Sequence, residues 1–212
     1  MEINVSKTYK ILFATTNSAK VSRIKNLLDK ENIELLSLRN LPYSIPEPIE
    51  SAEDGIKIAE LKAKYYWDNL KDKFYVLTQD DTLFLSGVSV EDNPGASIKD
   101  AVIKSFGVFN DENCVKYYAN LAAKYGGEIP LQFRYGHALY DGFVMKSSPS
   151  SLDGVLVADA KDTWTPNYPL NAVMKVNIGG VMKYYEDLTD EEKVVADINL
   201  SKSIHKLLDD LD

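Results

Sequence analysis

The stretch Lys10-Ile11-Leu12-Phe13-Ala14-Thr15-Thr16-Asn17-Ser18-Ala19-Lys20 is a short apolar run that passes into small polar residues and ends in a lysine. Ile11 to Ala14 suit a buried first strand, and Thr15, Thr16 and Asn17 are turn and cap residues. Val21, Ile24, Leu27 and Leu28 then recur at helical spacing. A strand-loop-helix joint of this kind aims backbone N–H groups and the positive end of a helix dipole at whatever sits above the loop. Lys20 adds a point charge suited to a polyphosphate. Two readings stand on these residues alone: a phosphate grip, or an ordinary strand-to-helix connection capped by Asn17 or Ser18.

Working outward, Ile33 to Leu38 reads as a second short strand. Leu41 to Glu50 reads as an extended loop, because Pro42, Pro46 and Pro48 disfavour helix. Ser51 is expected to open a helix with a capping-box start at Ser51-Ala-Glu-Asp54, its apolar face formed by Ile58, Leu61, Tyr65 and Leu70. Phe74 to Thr78 reads as a buried strand ending at Gln79-Asp80-Asp81-Thr82, where ligands of open α/β sheets gather. Helices are expected from Ile98 to Phe106 and from Glu112 to Tyr125, broken near Gly107 and closed by Gly126-Gly127. Strands follow at Leu131 to Val144 and Gly154 to Ala160, with Asp141-Gly142 a turn signal and Thr163 to Pro169 a loop. After a turn at Gly179-Gly180, Thr189-Asp-Glu-Glu192 is a capping box for a last helix running to about Leu208.

The chain has 212 residues, 45% of them hydrophobic and 26% charged, the profile of a globular protein with one domain or one domain and a lobe. Its formal net charge of −8 argues against holding a nucleic acid by bulk electrostatics, while leaving room for a small anion in a local basic pocket. Cys114 is the only cysteine, so neither an intrachain disulfide nor a multi-cysteine zinc site can form. With no signal-peptide pattern at the amino terminus and no membrane-length apolar run, the expectation is a cytoplasmic protein with no membrane partner. His137 and His205 sit in no nucleophile or metal-ligand pattern, and no Gly-x-Ser-x-Gly, Walker or dinucleotide-binding glycine pattern occurs.

Asp80 and Asp81, placed at a strand end, invite a cation, and magnesium suits them because it takes one or two carboxylates plus substrate phosphates. The plainer reading makes one of them a turn cap. Glu47, Glu50, Glu53 and Asp54 form an acidic set in which Glu50, just ahead of the helix, is the better ligand candidate. Trp164 and Tyr168 lie in a polar loop where a nucleobase or the sheet would cover them.

The order of these features resembles the inosine triphosphate pyrophosphatase, or Ham1-like, family over nearly the whole chain. The points of likeness are Thr-x-Asn-x-x-Lys after the first strand, an acidic loop before a helix, a strand with Asp-Asp, Trp-x-Pro, and a final Glu-Glu-Lys helix. The resemblance implies an α/β fold with an elongated mixed β-sheet flanked by helices and two lobes around a central cleft. It implies a single domain over residues 1–212, with a lobe of strands at 128–162. It further implies a magnesium-dependent hydrolase, usually a homodimer, that cleaves deaminated purine nucleoside triphosphates of the inosine or xanthosine type to monophosphate and pyrophosphate.

Carried onto this chain, Thr15, Thr16, Asn17 and Lys20 resemble the triphosphate loop, with Thr16 where glycine or serine is usual. Asp81 resembles the metal-binding, water-activating aspartate, with Asp80 beside it and Thr82 in place of a serine. Counting back from Lys62-Ala63 brings Glu50 to the acidic metal position, with Glu47 as the offset alternative. Trp164 resembles the aromatic near the base, and Lys193 a substrate contact. The Ser-His-Arg segment that reads the purine in this family is absent; Asp197-Ile198-Asn199 stands in its place, and Ile58 replaces an asparagine of the second helix. Losing those donors implies altered base specificity.

Overall fold

The structure is a computed structural model that describes residues 8–28, 32–49, 54–209 and 211. Its fold is α/β, and its seven strands form one mixed sheet in the order β2 (Ile33–Ser37), β1 (Tyr9–Phe13), β3 (Tyr75–Leu85), β4 (Glu128–Tyr140), β5 (Met145–Val157), β6 (Met174–Ile178), β7 (Val181–Tyr184). By contacts the chain divides into two compact units, residues 1–80 with 136–149 and 201–212, and residues 81–135 with 150–200. The divisions fall within the strands at 75–85, 128–140 and 145–157 and within the helix at 198–208.

In the first unit, β1 (Tyr9–Phe13) leads to α1 (Ser18–Leu27) and then to β2 (Ile33–Ser37). Strand β1 pairs in parallel with both β2 and β3, and Ile11, Leu12 and Phe13 are essentially inaccessible, as a central strand covered on both faces requires. Helix α2 (Gly55–Asn69) is capped by Asp54, whose carboxylate accepts the N–H groups of Ile56 and Lys57. The helix thus starts later than Ser51, which lies outside the described residues with Glu50 and Glu53. Ala59, Ala63 and Tyr66 of α2 pack with Leu12, Val76 and Ala138. Small residues allow a close approach here, and Gly136 takes it furthest: a Cβ at that position would lie 2.2 Å from the Gly55 carbonyl oxygen.

Strand β3 (Tyr75–Leu85) corrects a boundary. The sequence reading ends it at the acidic pair, whereas the chain stays extended through Thr82-Leu83-Phe84-Leu85 because Leu83 and Leu85 are buried in the core of the second unit. Asp80 and Asp81 are therefore mid-strand residues whose side chains point to opposite faces. Their juxtaposition in sequence is not a juxtaposition of charge, and the turn-cap reading falls with the boundary.

In the second unit, α3 (Ile98–Phe106) ends at Gly107, left-handed at φ 78°, and α4 (Asp111–Lys124) follows with Asn110 as its cap. Strands β4 (Glu128–Tyr140) and β5 (Met145–Val157) are joined at Asp141-Gly142, where the Asp141 carboxylate accepts the N–H groups of Phe143 and Val144. Strand β5 begins nine residues before the expected Gly154, absorbing a Ser- and Pro-rich segment that carries no strand signature of its own. Strands β6 (Met174–Ile178) and β7 (Val181–Tyr184) form an antiparallel hairpin about Gly179-Gly180.

The expected last helix is two, α5 (Asp190–Ala196) and α6 (Ile198–Leu208). They are separated at Asp197, which is 3% exposed and accepts a hydrogen bond from the Tyr185 hydroxyl at 2.9 Å. The Thr189/Glu192 capping box is present as expected. Among the described residues no helix is long and apolar enough to cross a membrane.

Candidate active site

The first group of site residues sits on the joint between β1 and α1. Asn17 is the helix cap: its carboxamide oxygen accepts the N–H of Ala19 at 2.9 Å and of Lys20 at 3.1 Å, and its own N–H donates to the Thr15 hydroxyl at 3.1 Å. The plain reading of Asn17 as a cap is thereby met, and the phosphate reading is narrowed. Two of the backbone donors that would greet an anion at a helix amino terminus are already used. Beyond them the loop offers the backbone N–H groups of Thr16 and Ser18 and its side chains, with Thr16 exposed and Lys20 half-buried. Arg39 joins them, since its Nε donates to the Thr16 carbonyl at 2.7 Å. Sequence reading missed this residue because the contact spans 23 positions.

The second group is an ion pair in the first unit. Lys62 Nζ on α2 lies 2.8 Å from Asp80 Oδ1 on β3, the two side chains only 15% and 9% exposed. One turn earlier on the same helix, the Ala59 carbonyl accepts the Thr78 hydroxyl at 2.6 Å. Thr78 and Asp80, two apart on β3, thus share the face that meets α2. Lys62 was legible only as a landmark of the resemblance; its role as the partner of Asp80 is a tertiary fact.

The remaining candidates belong to the second unit. Asp81 is half-buried, while Thr82 is 5% exposed and its hydroxyl donates to the Arg134 carbonyl at 3.1 Å. That bond ties Thr82 to β4, so its hydroxyl serves the sheet. Trp164 is half-buried against the apolar core of this unit, the commoner of the two covers expected for it. Its loop is held from both sides: Thr165 Oγ1 donates to Glu186 Oε1 at 2.8 Å, and the N–H of Asn167, left-handed at φ 68°, donates to Asp111 Oδ2 at 2.9 Å. Lys193 is half-buried in the last turn of α5. Next to it, the hydrogen bond from Lys183 holds the Glu192 carboxyl below the usual carboxylate range, assisted by the Thr189 backbone.

A divalent cation has a restricted choice of ligands. Among the described residues no three His, Cys, Asp or Glu side chains converge as a metal cage. Asp80 is engaged by Lys62, Asp81 is half-buried, Glu47 is exposed in the loop 41–49, and Glu50 lies outside the described residues. Magnesium takes one or two carboxylates and otherwise substrate phosphates and water, a requirement with which carboxylates spaced in this way are compatible.

The chain is similar to known proteins in sequence pattern and in fold. The Ham1 family model matches residues 11–162, a span that includes the loop, Lys62, Asp80 and Asp81. A HAM1 protein from Coxiella burnetii superimposes with a TM-score of 0.72 at 15% identity, covering 95% of this chain and 99% of that one. The Ham1 protein of Staphylococcus aureus gives 0.66 at 16%, covering 94% and 98%. A nucleoside-triphosphatase / dITP/XTP pyrophosphatase from Mycobacterium abscessus gives 0.63 at 18%, again covering 94% and 98%. No curated protein sequence matches the chain. At these identities the solved structures speak for the fold, and the family match over most of the sequence carries the assignment: the chain belongs to the Ham1 family.

Proposed function

We propose that this protein is a nucleoside triphosphate pyrophosphohydrolase that releases pyrophosphate and a nucleoside monophosphate, acting on deaminated purine nucleotides with altered base specificity. The observation that carries the reading is the Lys62–Asp80 pair, enclosed next to Asp81 in the middle of β3. Burying two charges costs more in desolvation than a well-packed apolar pair of the same volume, so such a pair is poor fold-building material and good site-building material. Family membership and the M. abscessus pyrophosphatase of like fold support the same activity.

In this reaction the oxygen of a water forms a bond to the α-phosphorus, the bond from the α-phosphorus to the α–β bridging oxygen breaks, and pyrophosphate leaves. Asp81 orients the water and accepts its proton. Asp80, kept in place by Lys62, fixes the strand on which Asp81 stands. Lys20 neutralises charge that develops on the leaving pyrophosphate, and Thr15, Thr16 and Asn17 shape the loop that receives it. Asp81 and Glu50 would hold magnesium, which would supply neutralisation of charge on the substrate phosphates. Trp164 covers the base and Lys193 reaches the substrate. Homodimer assembly and a cytoplasmic location belong to the same proposal.

Base selection departs from the family pattern. In place of the Ser-His-Arg segment the chain has the helix break at Asp197, whose buried carboxylate is engaged by Tyr185. This favours a second reading, a relative that binds nucleotides with little turnover. Incubation with magnesium and a panel of ordinary and deaminated triphosphates, with pyrophosphate measured, separates the two. Turnover of at least one member is expected, and binding of several with turnover of none would leave the second reading standing.

A further inference from the structure

Resting on the reading of Thr15–Lys20 as a phosphate loop, we propose that Arg39 is a polyphosphate-binding residue, a second cation fixed on that loop to grip the terminal phosphates. Arg39 lies in a 3-10 turn, Leu38–Asn40, directly after β2. The turn is pinned at both ends: the Leu38 N–H donates to the Thr15 carbonyl at 3.2 Å, and Asn40 Oδ1 accepts the Ser37 N–H at 2.7 Å and the Ser37 hydroxyl at 2.8 Å. Within this frame the guanidinium uses Nε alone, on the Thr16 carbonyl at 2.7 Å. Its two Nη groups make no hydrogen bond or ion pair to any described residue, and both Arg39 and Thr16 are exposed.

Three considerations turn that placement into a ligand contact. Asn17 occupies the N–H groups of Ala19 and Lys20, which removes two backbone donors from the helix start and raises the share of side-chain charge in holding a polyanion. A chain of net charge −8 repels a triphosphate at long range, which makes local cations decisive at the loop. A guanidinium tethered through Nε presents its remaining donors as an oriented fork matched to phosphate oxygens, with less rotamer freedom left to lose on binding.

Titration calorimetry with inorganic tripolyphosphate and magnesium tests this without requiring a base or turnover. Arg39→Gln removes the charge but keeps an amide donor for the Thr16 carbonyl. It should weaken tripolyphosphate binding about tenfold and flatten its dependence on sodium chloride, with an unchanged urea midpoint. Lys20→Met serves as the comparison. A loss of less than threefold in Arg39→Gln while Lys20→Met loses tenfold would overturn the role of Arg39 and leave the phosphate loop standing. Absence of tripolyphosphate binding by the wild-type protein would overturn both.

Discussion

Substituting Lys62 by Met keeps the length and apolar stem of the side chain and deletes only the ammonium that faces Asp80. The wild-type pair is 2.8 Å apart with side chains 15% and 9% exposed, so the variant deprives a carboxylate that water barely reaches of its ion pair with Lys62. Removing one partner of a buried pair costs about 3–5 kcal/mol. The upper end is limited by an alternative, since the carboxylate can take up a proton. From the ordinary aspartate value near 3.9, that uptake costs about 4 kcal/mol at pH 7 and about 1.5 kcal/mol at pH 5. The expected loss is therefore about 3–4 kcal/mol at pH 7, shrinking as the pH falls. The sign follows from linkage: in the variant the folded state binds the extra proton, so its stability relative to wild type falls as pH rises. Urea denaturation at pH 5 and pH 7.5 measures this, with m-values confirming that the compared transition is the same. The double variant Lys62→Met with Asp80→Leu should recover most of the stability at pH 7.5 while remaining inactive, because it discards the buried charge and the site together. A Lys62→Met protein within about 0.5 kcal/mol of wild type at both pH values would refute the reasoning, since the loss expected of a broken buried pair is several-fold larger.

Other consequences are as direct. Asp81→Asn should abolish turnover of any substrate; full activity would reject its assignment as the water-activating group. Asn17→Ala should cost about 1 kcal/mol through loss of the α1 cap and weaken triphosphate binding, whereas Asn17→Asp should keep the cap and weaken binding by charge repulsion alone, as paired denaturation and binding curves would show. Gly136→Ala should destabilise by about 3 kcal/mol or more, because its Cβ would meet Gly55 backbone atoms that no side-chain rotation moves aside. The Cys114 thiol, 1% exposed and pushed up to about 12 by burial, should resist a thiol reagent at pH 8 in the native protein and react promptly in urea; fast native labelling would contradict its placement in the core.

The parts of the fold that could be read along the chain are those written in local chemistry. Strand β1 and helix α1 follow from an apolar run, a cap and helical spacing. The Thr189 capping box and the Asp141-Gly142 turn are likewise short-range statements, and the structure contains both. What escaped is set by partners distant in sequence. Strand β3 runs through two aspartates because Lys62, 18 residues earlier, offsets the first of them. The opening half of β5 looks like a linker until the sheet pairs it. The division of the last helix follows from Tyr185, 12 residues before Asp197, engaging its carboxylate. At the candidate site, Lys20 and Asp81 were legible as residue types in a spacing, and Thr15 to Lys20 did prove to be a strand-to-helix joint. Lys62 and Arg39 were not legible as site residues, since each acquires its meaning from a contact that only the folded chain makes.

The central claim is the cleavage of a nucleoside triphosphate between its α- and β-phosphates. The direct measurement is incubation of the wild-type protein with magnesium and inosine, xanthosine and the ordinary nucleoside triphosphates, resolving products by ion-exchange chromatography. A nucleoside monophosphate and pyrophosphate in equal amounts, lost in Asp81→Asn, is the predicted result. Release of orthophosphate with a diphosphate, or no product from any triphosphate, would contradict it.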